Sequence, residues 1–187
     1  ESAGALRRLL DEGTVRAVGL SNGNVEECRL FAETCPLSAC QRHFNMLQQE
    51  IGPELLPYCQ SKQMAMVTYW PLMKGLLTGK MERDHVFSQT DSRHKYPMFR
   101  GEEFQKNLDF VETIQSLATQ QNMSLVSLVL AWTMAQKGIT TVLFGATSAK
   151  QVAANAQALC CHLDDSIILS INEAVQQRGP ILGGRKV

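Results

Sequence analysis

Short apolar runs alternate along the chain with longer amphipathic stretches. The runs are rich in apolar and β-branched residues, are bounded by turn-forming residues, and predict strands at residues 15–21, 38–45, 64–70 and 140–144. Helix-period patterns and capping residues predict helices near residues 25–34, 53–62, 103–121, 124–136, 149–159 and 164–177. Strands that alternate with helices are typical of βα units in a parallel sheet, so we predict an α/β fold.

A further amphipathic helix is predicted at the start, over residues 2–12. Leu6, Leu9 and Leu10 form an i, i+3, i+4 stripe, and Gly13 fits the position that follows a helix C-terminus. The stripe requires a covering partner, and the chain begins with Glu1 inside this helix rather than with Met. We therefore expect these residues to be a piece of a longer domain.

Four strands are too few to close a barrel. Four βα units that follow a helix, with one more helix at the C-terminus, are typical of half of an eightfold (β/α) barrel, in which chemistry occurs where strands end and βα loops begin. Residues 71–102 contain glycine, proline and mixed charge and predict an extended loop, while residues 179–187 predict a flexible tail. The barrel-type domain is therefore expected over residues 1–178.

The composition argues against several classes of partner. Lys plus Arg and Asp plus Glu number 18 each, so charge gives no reason to expect nucleic acid or an anionic membrane surface. No apolar run approaches the ~20 residues that span a bilayer, and no signal peptide is recognisable, so a cytoplasmic protein is expected. The six cysteines form no CxxC pair and the four histidines do not cluster, which predicts reduced thiols and no metal site.

Polar but uncharged side chains lie near the ends of the predicted strands. Ser21 and Asn22 end the first strand, Gln41 lies in the second, and Tyr69 is near the end of the third. These residues include no carboxylate pair for glycoside chemistry and no Ser–His–Asp set. Amides and hydroxyls beside an aromatic ring suit a flat ligand ring that bears a carboxamide, with the first three residues on the carboxamide and Tyr69 stacked on the ring.

Simpler interpretations exist for each of these residues taken alone. Ser21 and Asn22 fit ordinary turn chemistry, and Gln41 fits a buried amide bonded to the backbone. The remaining candidates also have structural alternatives: core aromatics for Tyr69 and Trp70, a plain helix N-terminal turn for residues 145–147, and a solvated loop position for Lys80. Only the agreement among several strand ends favours a binding site.

A family resemblance rests on five segments, GTVRAVGLSN, CQRHFNML, LLPYCQ, TYWPLMKGLLTGK and GATSAKQVAANAQAL. In this order and at these strand ends, they resemble the C-terminal half of the aldo-keto reductase superfamily. The similar branch includes bacterial open-chain reductases and the potassium-channel β subunits. The resemblance extends over residues 2–178 and implies the C-terminal half of a (β/α)8 TIM barrel that binds NADP(H), or NAD(H), across its C-terminal mouth.

The resemblance also assigns cofactor contacts by position. The nicotinamide carboxamide would be held by Ser21, Asn22 and Gln41, with Tyr69 stacked on the ring. The loop expected to line the pyrophosphate contributes Trp70, Pro71, Leu72, Met73, Lys74 and Lys80. The adenosine-phosphate motif is matched by Gly145, Thr147, Gln151 and Asn155, in a turn that leads into a helix N-terminus suited to anions.

At three positions the sequence departs from the family pattern or matches it without a definite register. Trp70 stands where the family usually has serine, and Ala154 replaces an acidic residue that commonly precedes the Asn of the adenosine motif. Lys150 lies near the position of a basic residue that often binds the 2′-phosphate in relatives, without a definite register. NADP(H) is therefore the expected cofactor, with NAD(H) as the alternative.

The resemblance implies an NADP(H)-dependent aldo-keto reductase, an oxidoreductase that reduces a small aldehyde or ketone. The family's catalytic Asp, Tyr, Lys and His come from the first four βα units, which this chain lacks, so we predict no catalytic residue and no activity of the chain alone. The alternatives are an NADP(H)-binding regulatory subunit and a non-catalytic fragment that acts through protein–protein interaction. A half barrel exposes edges and apolar faces, so self-association or a complementing N-terminal half is expected.

Overall fold

The computed structural model describes residues 1–182, so the last part of the predicted tail, residues 183–187, lies outside the described residues. In chain order, the α-helices and strands of the described part are α1 (Ser2–Asp11), β1 (Gly19–Ser21), α2 (Val25–Ala32), β2 (Ala39–His43), α3 (Leu55–Ser61), β3 (Ala65–Tyr69), α4 (Gly101–Gln120), α5 (Leu125–Ala135), β4 (Thr141–Val142), α6 (Ala149–Ala156) and α7 (Asp165–Arg178). The predicted alternation of strands and helices is confirmed.

The four strands form one parallel sheet in the order β1-β2-β3-β4. Along β3 the side chains alternate: Met66 and Thr68 are buried, whereas Ala65, Val67 and Tyr69 are half-buried. Helices therefore cover one face of the sheet, and the other face is more open. Within residues 1–182, β1 pairs only with β2 and β4 only with β3, so both outer edges of the sheet are unpaired.

The hydrophobic core lies between the covered face of the sheet and the helices. Cys40 and Met66 of the sheet belong to the same buried cluster as Ile114 of α4 and Trp132 of α5. The Trp132 ring stacks on Phe44, with ring centroids 5.9 Å apart and an interplanar angle of 7°. This packing fixes the ends of β2 and β3 relative to the helices.

Local capping explains where several helices begin and end. Asn24 Oδ1 accepts a hydrogen bond from the Glu27 N–H (2.9 Å), and Glu27 Oε2 accepts one from the Asn24 N–H (2.8 Å), which completes a capping box at α2. Ser124 caps α5 by accepting from the Ser127 N–H at 3.0 Å. Gly13 follows α1 with a φ of 71°, a left-handed conformation that glycine adopts without strain. These predicted boundaries are confirmed.

The outer strands and the long loop differ from the predictions. The predicted strand 15–21 pairs only over Gly19–Ser21, because the Val15 N–H instead bonds the Leu9 carbonyl at 3.2 Å. The predicted strand 140–144 is reduced to Thr141–Val142, since it has a pairing partner on one side only. The predicted loop contains two 3₁₀ segments, Ser92–Lys95 and Pro97–Phe99, and a kinked pair of turns over Met73–Thr78 that is interrupted by left-handed residues at Lys74 and Gly75. The predicted helix 149–159 likewise becomes 3₁₀ after Ala156.

The start of the predicted flexible tail is anchored. Arg178 on α7 forms a buried ion pair with Glu103 on α4 and donates from Nε to Asn107 Oδ1 at 2.9 Å. The Leu182 N–H donates to Glu103 Oε1 at 2.7 Å, and the Arg178 guanidinium donates to the Pro180 carbonyl at 2.7 Å. Residues 179–182 are therefore bonded to α4 and α7 in the structure.

All six cysteines are free thiols. Cys28 and Cys40 are buried with their sulfurs 3.8 Å apart, and the hydrogen bond to Cys40 together with burial raises the pKa of the Cys28 thiol. Among residues 1–182, no helix is long and apolar enough to cross a membrane, and no group of three or more His, Cys, Asp or Glu is placed to hold a metal ion.

Candidate functional site

The residues predicted at the ends of the first three strands meet in the structure. The parallel register pairs Ser21 with Gln41, and the Asn22 N–H donates to the Gln41 carbonyl at 2.9 Å. The Tyr69 hydroxyl donates to Asn22 Oδ1 at 2.7 Å, and Asn22 Nδ2 lies 3.3 Å from Ser21 Oγ. A tyrosine ring and a group of amides and hydroxyls are thus connected at one edge of the sheet.

The backbone at Asn22 is held in a left-handed conformation, with a φ of 63°. Arg42 explains how: its side chain is buried, and its Nη1 donates to the carbonyls of Asn22 (2.8 Å) and Gly23 (3.0 Å). A Cβ at Gly23 would lie 2.4 Å from a methyl carbon of Leu20, so a larger residue here would require the Leu20 side chain to shift. Arg42 was not predicted as a site residue, because a charged residue within a strand has no local signal of this role.

The turn after β3 has an unusual run of left-handed residues. Trp70, Met73, Lys74 and Gly75 have φ values of 59°, 45°, 52° and 94°. Asn45 is fully buried and stabilises this turn, because its Nδ2 donates to the Trp70 carbonyl at 3.2 Å. Its Oδ1 accepts two backbone N–H groups of its own loop, both at 3.0 Å. Strained backbone of this kind persists where surrounding bonds enforce it, typically at functional sites.

A second support for this turn comes from the long loop. Arg93 Nη1 donates to the Lys74 carbonyl at 3.2 Å, while Arg93 Nη2 pairs with Asp91 Oδ2 at 2.6 Å. The Arg93 guanidinium also lies 5.0 Å from the centroid of the Phe87 ring. The hydrogen bond from Arg93 lowers the pKa of Asp91 from 3.8 to about 2, so the charged pair persists to lower pH than it would with an unshifted aspartate. The loop is therefore an ordered part of the site.

Aromatic rings and one ammonium group pack at the turn. The Trp70 ring meets Tyr69 edge-on, with centroids 5.4 Å apart and an interplanar angle of 84°, and meets Tyr96 at 6.3 Å and 88°. Lys74 Nζ lies 4.2 Å from the Trp70 centroid and 4.8 Å from the Tyr96 centroid. Both distances are within the range of cation–π attraction. Tyr96 was not predicted as a site residue.

A buried histidine lies next to these rings. His43 ends β2 with only 1% of its surface exposed, and its ring centroid is 6.0 Å from that of Tyr69 and 6.4 Å from that of Trp70. Neither of its ring nitrogens has a hydrogen-bond partner among residues 1–182; Glu50 Oε2, at 3.6 Å from Nε2, is beyond hydrogen-bond distance. His43 thus acts as packing beneath the two aromatic side chains.

A cleft of about 830 Å³ begins at Tyr69 and runs along the turn to the start of α6. The predicted residues that line it are Tyr69, Trp70, Pro71, Leu72, Lys74, Lys80, Gly145, Thr147, Gln151 and Asn155. The cleft lining does not include the strand-end residues Ser21, Asn22 and Gln41. They are connected to the cleft through the hydrogen bond between Asn22 and Tyr69, which does line it. The Met73 side chain is buried in the core, so only its backbone is available for a ligand contact. Sequence reasoning missed the lining residues Gly75, Thr78, Arg93, Val126, Leu143, Phe144 and Ala146.

The far end of the cleft is the N-terminus of α6. Ser148 caps the helix by accepting from the Gln151 N–H at 3.2 Å. Gln151 Oε1 in turn accepts from the Thr147 N–H (2.7 Å) and from Oγ1 of the same residue (3.1 Å). Asn155 is buried at the wall of the cleft, and Lys150 is exposed on the first turn. A helix N-terminus presents backbone N–H groups and a positive dipole end, which suit a phosphate.

Comparisons with known proteins give a consistent result. The model of the aldo/keto reductase family matches residues 1–176. The NADH-specific methylglyoxal reductase of Escherichia coli is 32% identical over 166 residues, which cover 89% of this chain and 50% of that protein. The aldo-keto reductase yakc of Schizosaccharomyces pombe, whose name specifies NADP(+), is 32% identical over 185 residues, or 97% of this chain and 54% of that protein.

A solved structure agrees with these relatives. The glycerol dehydrogenase of Gluconobacter oxydans matches with a TM-score of 0.90 and 29% identity, covering 100% of this chain and 57% of that chain. The chain therefore spans about half the length of the relatives it matches. The family match extends across almost the whole of residues 1–182 and includes every strand of the sheet. The chain belongs to the aldo/keto reductase family.

Proposed function

We propose that this chain is the C-terminal, cofactor-binding half of an NADP(H)-dependent aldo-keto reductase, an oxidoreductase that acts on a small aldehyde or ketone. The observation that carries the proposal is the cleft of about 830 Å³ with two chemically different ends. One end has an aromatic ring bonded to an amide–hydroxyl group, and the other has a capped helix N-terminus. A dinucleotide has the same two parts, a flat carboxamide-bearing ring and a phosphorylated adenosine.

The strand-end residues fit the nicotinamide. Gln41 is half-buried on the same edge as Ser21 and Asn22, so amide and hydroxyl groups are available for both the donor and the acceptor of a carboxamide. The Tyr69 ring is tethered through its hydroxyl to Asn22 and thereby offers a fixed face for stacking. When bound, the cofactor supplies the hydride, and the role of these residues is to orient the ring.

The turn and α6 fit the phosphates. Lys80 is an exposed cation of the cleft lining, whereas Arg93 is already paired with Asp91. The proposal therefore assigns the pyrophosphate to Lys80 and to backbone N–H groups of the turn, and the adenosine phosphate to the N-terminus of α6, with Lys150 near the 2′-phosphate. Named relatives exist for both cofactors, and NADP(H) is proposed over NAD(H) because Lys150 is an exposed cation on the first turn of α6, where a 2′-phosphate would add negative charge.

The catalytic acid and its partners are proposed to come from the other half of a (β/α)8 barrel. The unpaired outer edges of β1 and β4 support this proposal for residues 1–182, as do the exposed Leu143 and Leu159 beside β4. We expect this chain alone to bind NADPH without reducing an aldehyde. No observation among the described residues favours the regulatory-subunit alternative.

A fluorescence titration with NADPH and then NADH tests the proposal. Saturable NADPH binding is expected, weakened about tenfold by Tyr69→Ala through loss of stacking and about fivefold by Gln41→Ala through loss of a hydrogen bond. Tyr58→Ala and Gln120→Ala change the same residue types outside the cleft and are the matched controls. A folded chain that binds neither nucleotide contradicts the proposal, and aldehyde-dependent NADPH oxidation by the pure chain contradicts the assignment of catalysis to the missing half.

A further inference from the structure

The ammonium group of Lys74 contacts two aromatic rings that also contact each other. Its Nζ lies 4.2 Å from the Trp70 centroid and 4.8 Å from the Tyr96 centroid, and the two centroids are 6.3 Å apart. Trp70 then meets Tyr69 edge-on, with centroids 5.4 Å apart. We call Tyr96, Lys74 and Trp70 the lysine clamp. It forms a continuous line of contacts that ends on the ring proposed to stack on the nicotinamide.

We propose that Lys74 is a positioning residue that acts through Trp70 to fix the ring of Tyr69. The stacking of Tyr69 on the nicotinamide, on which this inference rests, is part of the proposed function. Tyr69 is then held by its hydroxyl bond to Asn22, by the edge-on contact with Trp70 and by the His43 ring, whose centroid is 6.0 Å away. The contact with Trp70 is the constraint that Lys74 can influence, because Lys74 contacts Trp70.

The backbone of the turn supports this role. Trp70 and Lys74 both have left-handed φ values, and both of their carbonyls are bonded, by Asn45 and Arg93 respectively. The backbone at Trp70 and Lys74 is therefore held in place, and from this backbone the Lys74 side chain reaches the rings of Trp70 and Tyr96. A lysine side chain is flexible and strongly hydrated, so a stable position against two rings requires this preorganisation.

A contrast with Lys80 separates this role from phosphate binding. Lys80 also lines the cleft, but it is exposed, and its ammonium group has no aromatic contact among residues 1–182. A lysine that binds a phosphate makes affinity salt-dependent and affects every ligand that carries this phosphate. A lysine that positions Tyr69 affects only ligands that carry the nicotinamide.

Two ligands, three variants and one control variant test the proposal in the full chain. The ligands are NADPH and adenosine 2′,5′-bisphosphate, which carries adenosine phosphates but no nicotinamide. Lys74→Met and Tyr96→Leu are expected to weaken NADPH binding by about three- to tenfold, the range of cation–π contributions. Binding of the bisphosphate is expected to stay unchanged in both variants, and the salt dependence of NADPH binding is expected to stay unchanged in Tyr96→Leu, which removes no charge. Lys74→Arg retains the clamp, because a guanidinium stacks on aromatic faces, and Lys62→Met is the exposed-lysine control.

Trp70 provides a direct readout that does not depend on any ligand. The chain has two tryptophans, and Trp132 is fully buried, so a change in acrylamide quenching of tryptophan emission reports on Trp70. Lys74→Met is expected to increase this quenching at an unchanged unfolding temperature. Unchanged quenching overturns the proposal, whether or not NADPH binds.

The remaining outcomes are also decisive. If Lys74→Met weakens the bisphosphate and NADPH equally and reduces the salt dependence, Lys74 is a phosphate ligand and the proposal is overturned. If it changes neither ligand, the proposal is likewise overturned. If the unchanged chain binds no NADPH, the proposed function fails, and the clamp is still judged by the quenching of Trp70.

Discussion

The two ends of the cleft are stabilised in different ways. At the strand ends, the bonds join residues far apart in sequence: Arg42 to Asn22 across 20 residues, and Tyr69 to Asn22 across 47. At the start of α6, the bonds join near neighbours, such as Thr147 with Gln151, four residues away. One end is thus a product of tertiary structure, and the other is a product of helix capping.

This difference matches the demands of the proposed ligand. A nicotinamide ring must be oriented to transfer a hydride, so its site has to be preorganised by contacts that do not move. A phosphate is bound by charge and by N–H groups over a wider range of geometry, which a single helix N-terminus provides. We expect substitutions at the strand ends to affect both stability and binding, and substitutions at α6 to affect chiefly binding.

The largest expected effect is that of Asn45→Ala. It removes a fully buried amide that accepts from the Leu47 N–H and donates to Gln48 Oε1, and it leaves both of these groups without that partner. It also removes one of the hydrogen bonds to the Trp70 carbonyl. The free energy of unfolding is expected to fall by about 3 kcal/mol, as for other buried groups left unsatisfied. Urea denaturation measures it.

Gln151→Ala provides the matched comparison from the other end. It removes an exposed local bond to Thr147, so a loss below about 1 kcal/mol is expected. Equal losses in the two variants would show that the strand end is not the more strongly constrained region.

A smaller effect is expected from changes at Asn22. Alanine tolerates the left-handed φ of 63° less well than glycine, so Asn22→Ala is expected to be about 1 kcal/mol less stable than Asn22→Gly. Both variants lose the acceptor for the Tyr69 hydroxyl and should lose NADPH affinity to a similar extent. Thermal unfolding compares their stabilities; equal values would mean that the turn relaxes out of the left-handed region.

The smallest effect is expected at the loop that supports the turn, and it depends on pH. Because Arg93 lowers the pKa of Asp91 from 3.8 to about 2, the charged pair stabilises the folded state fully above pH 3.8. This stabilisation declines as the pH falls from 3.8 to about 2 and is absent below about pH 2. Asp91→Asn should therefore be less stable than the unchanged chain at neutral pH and equally stable at the acid end. A difference in stability that does not vary with pH would assign the loss to packing.

Much of the local structure was predictable from neighbouring residues. The order of strands and helices, the Asn24 and Ser124 caps, and the meeting of Ser21, Gln41 and Tyr69 at one edge all follow from periodicity, capping chemistry and the parallel-sheet rule. The lengths of the outer strands were not predictable, because they depend on how many neighbours each strand has. The 3₁₀ segments of the long loop depend on turn-level bonds that periodicity does not report.

The favoured backbone conformations along the chain, and the polar residues that end the strands, follow from the amino-acid sequence. How these residues are held depends on the folded chain: Arg42 bonds the first turn, Asn45 and Arg93 bond the second, and Tyr96 contacts Lys74. The two kinds of interaction differ in how far apart along the chain they act. Backbone preference and capping act between residues a few positions apart, whereas these contacts join residues 19 to 25 positions apart, which meet only after the strands have paired in register and the loop has folded back.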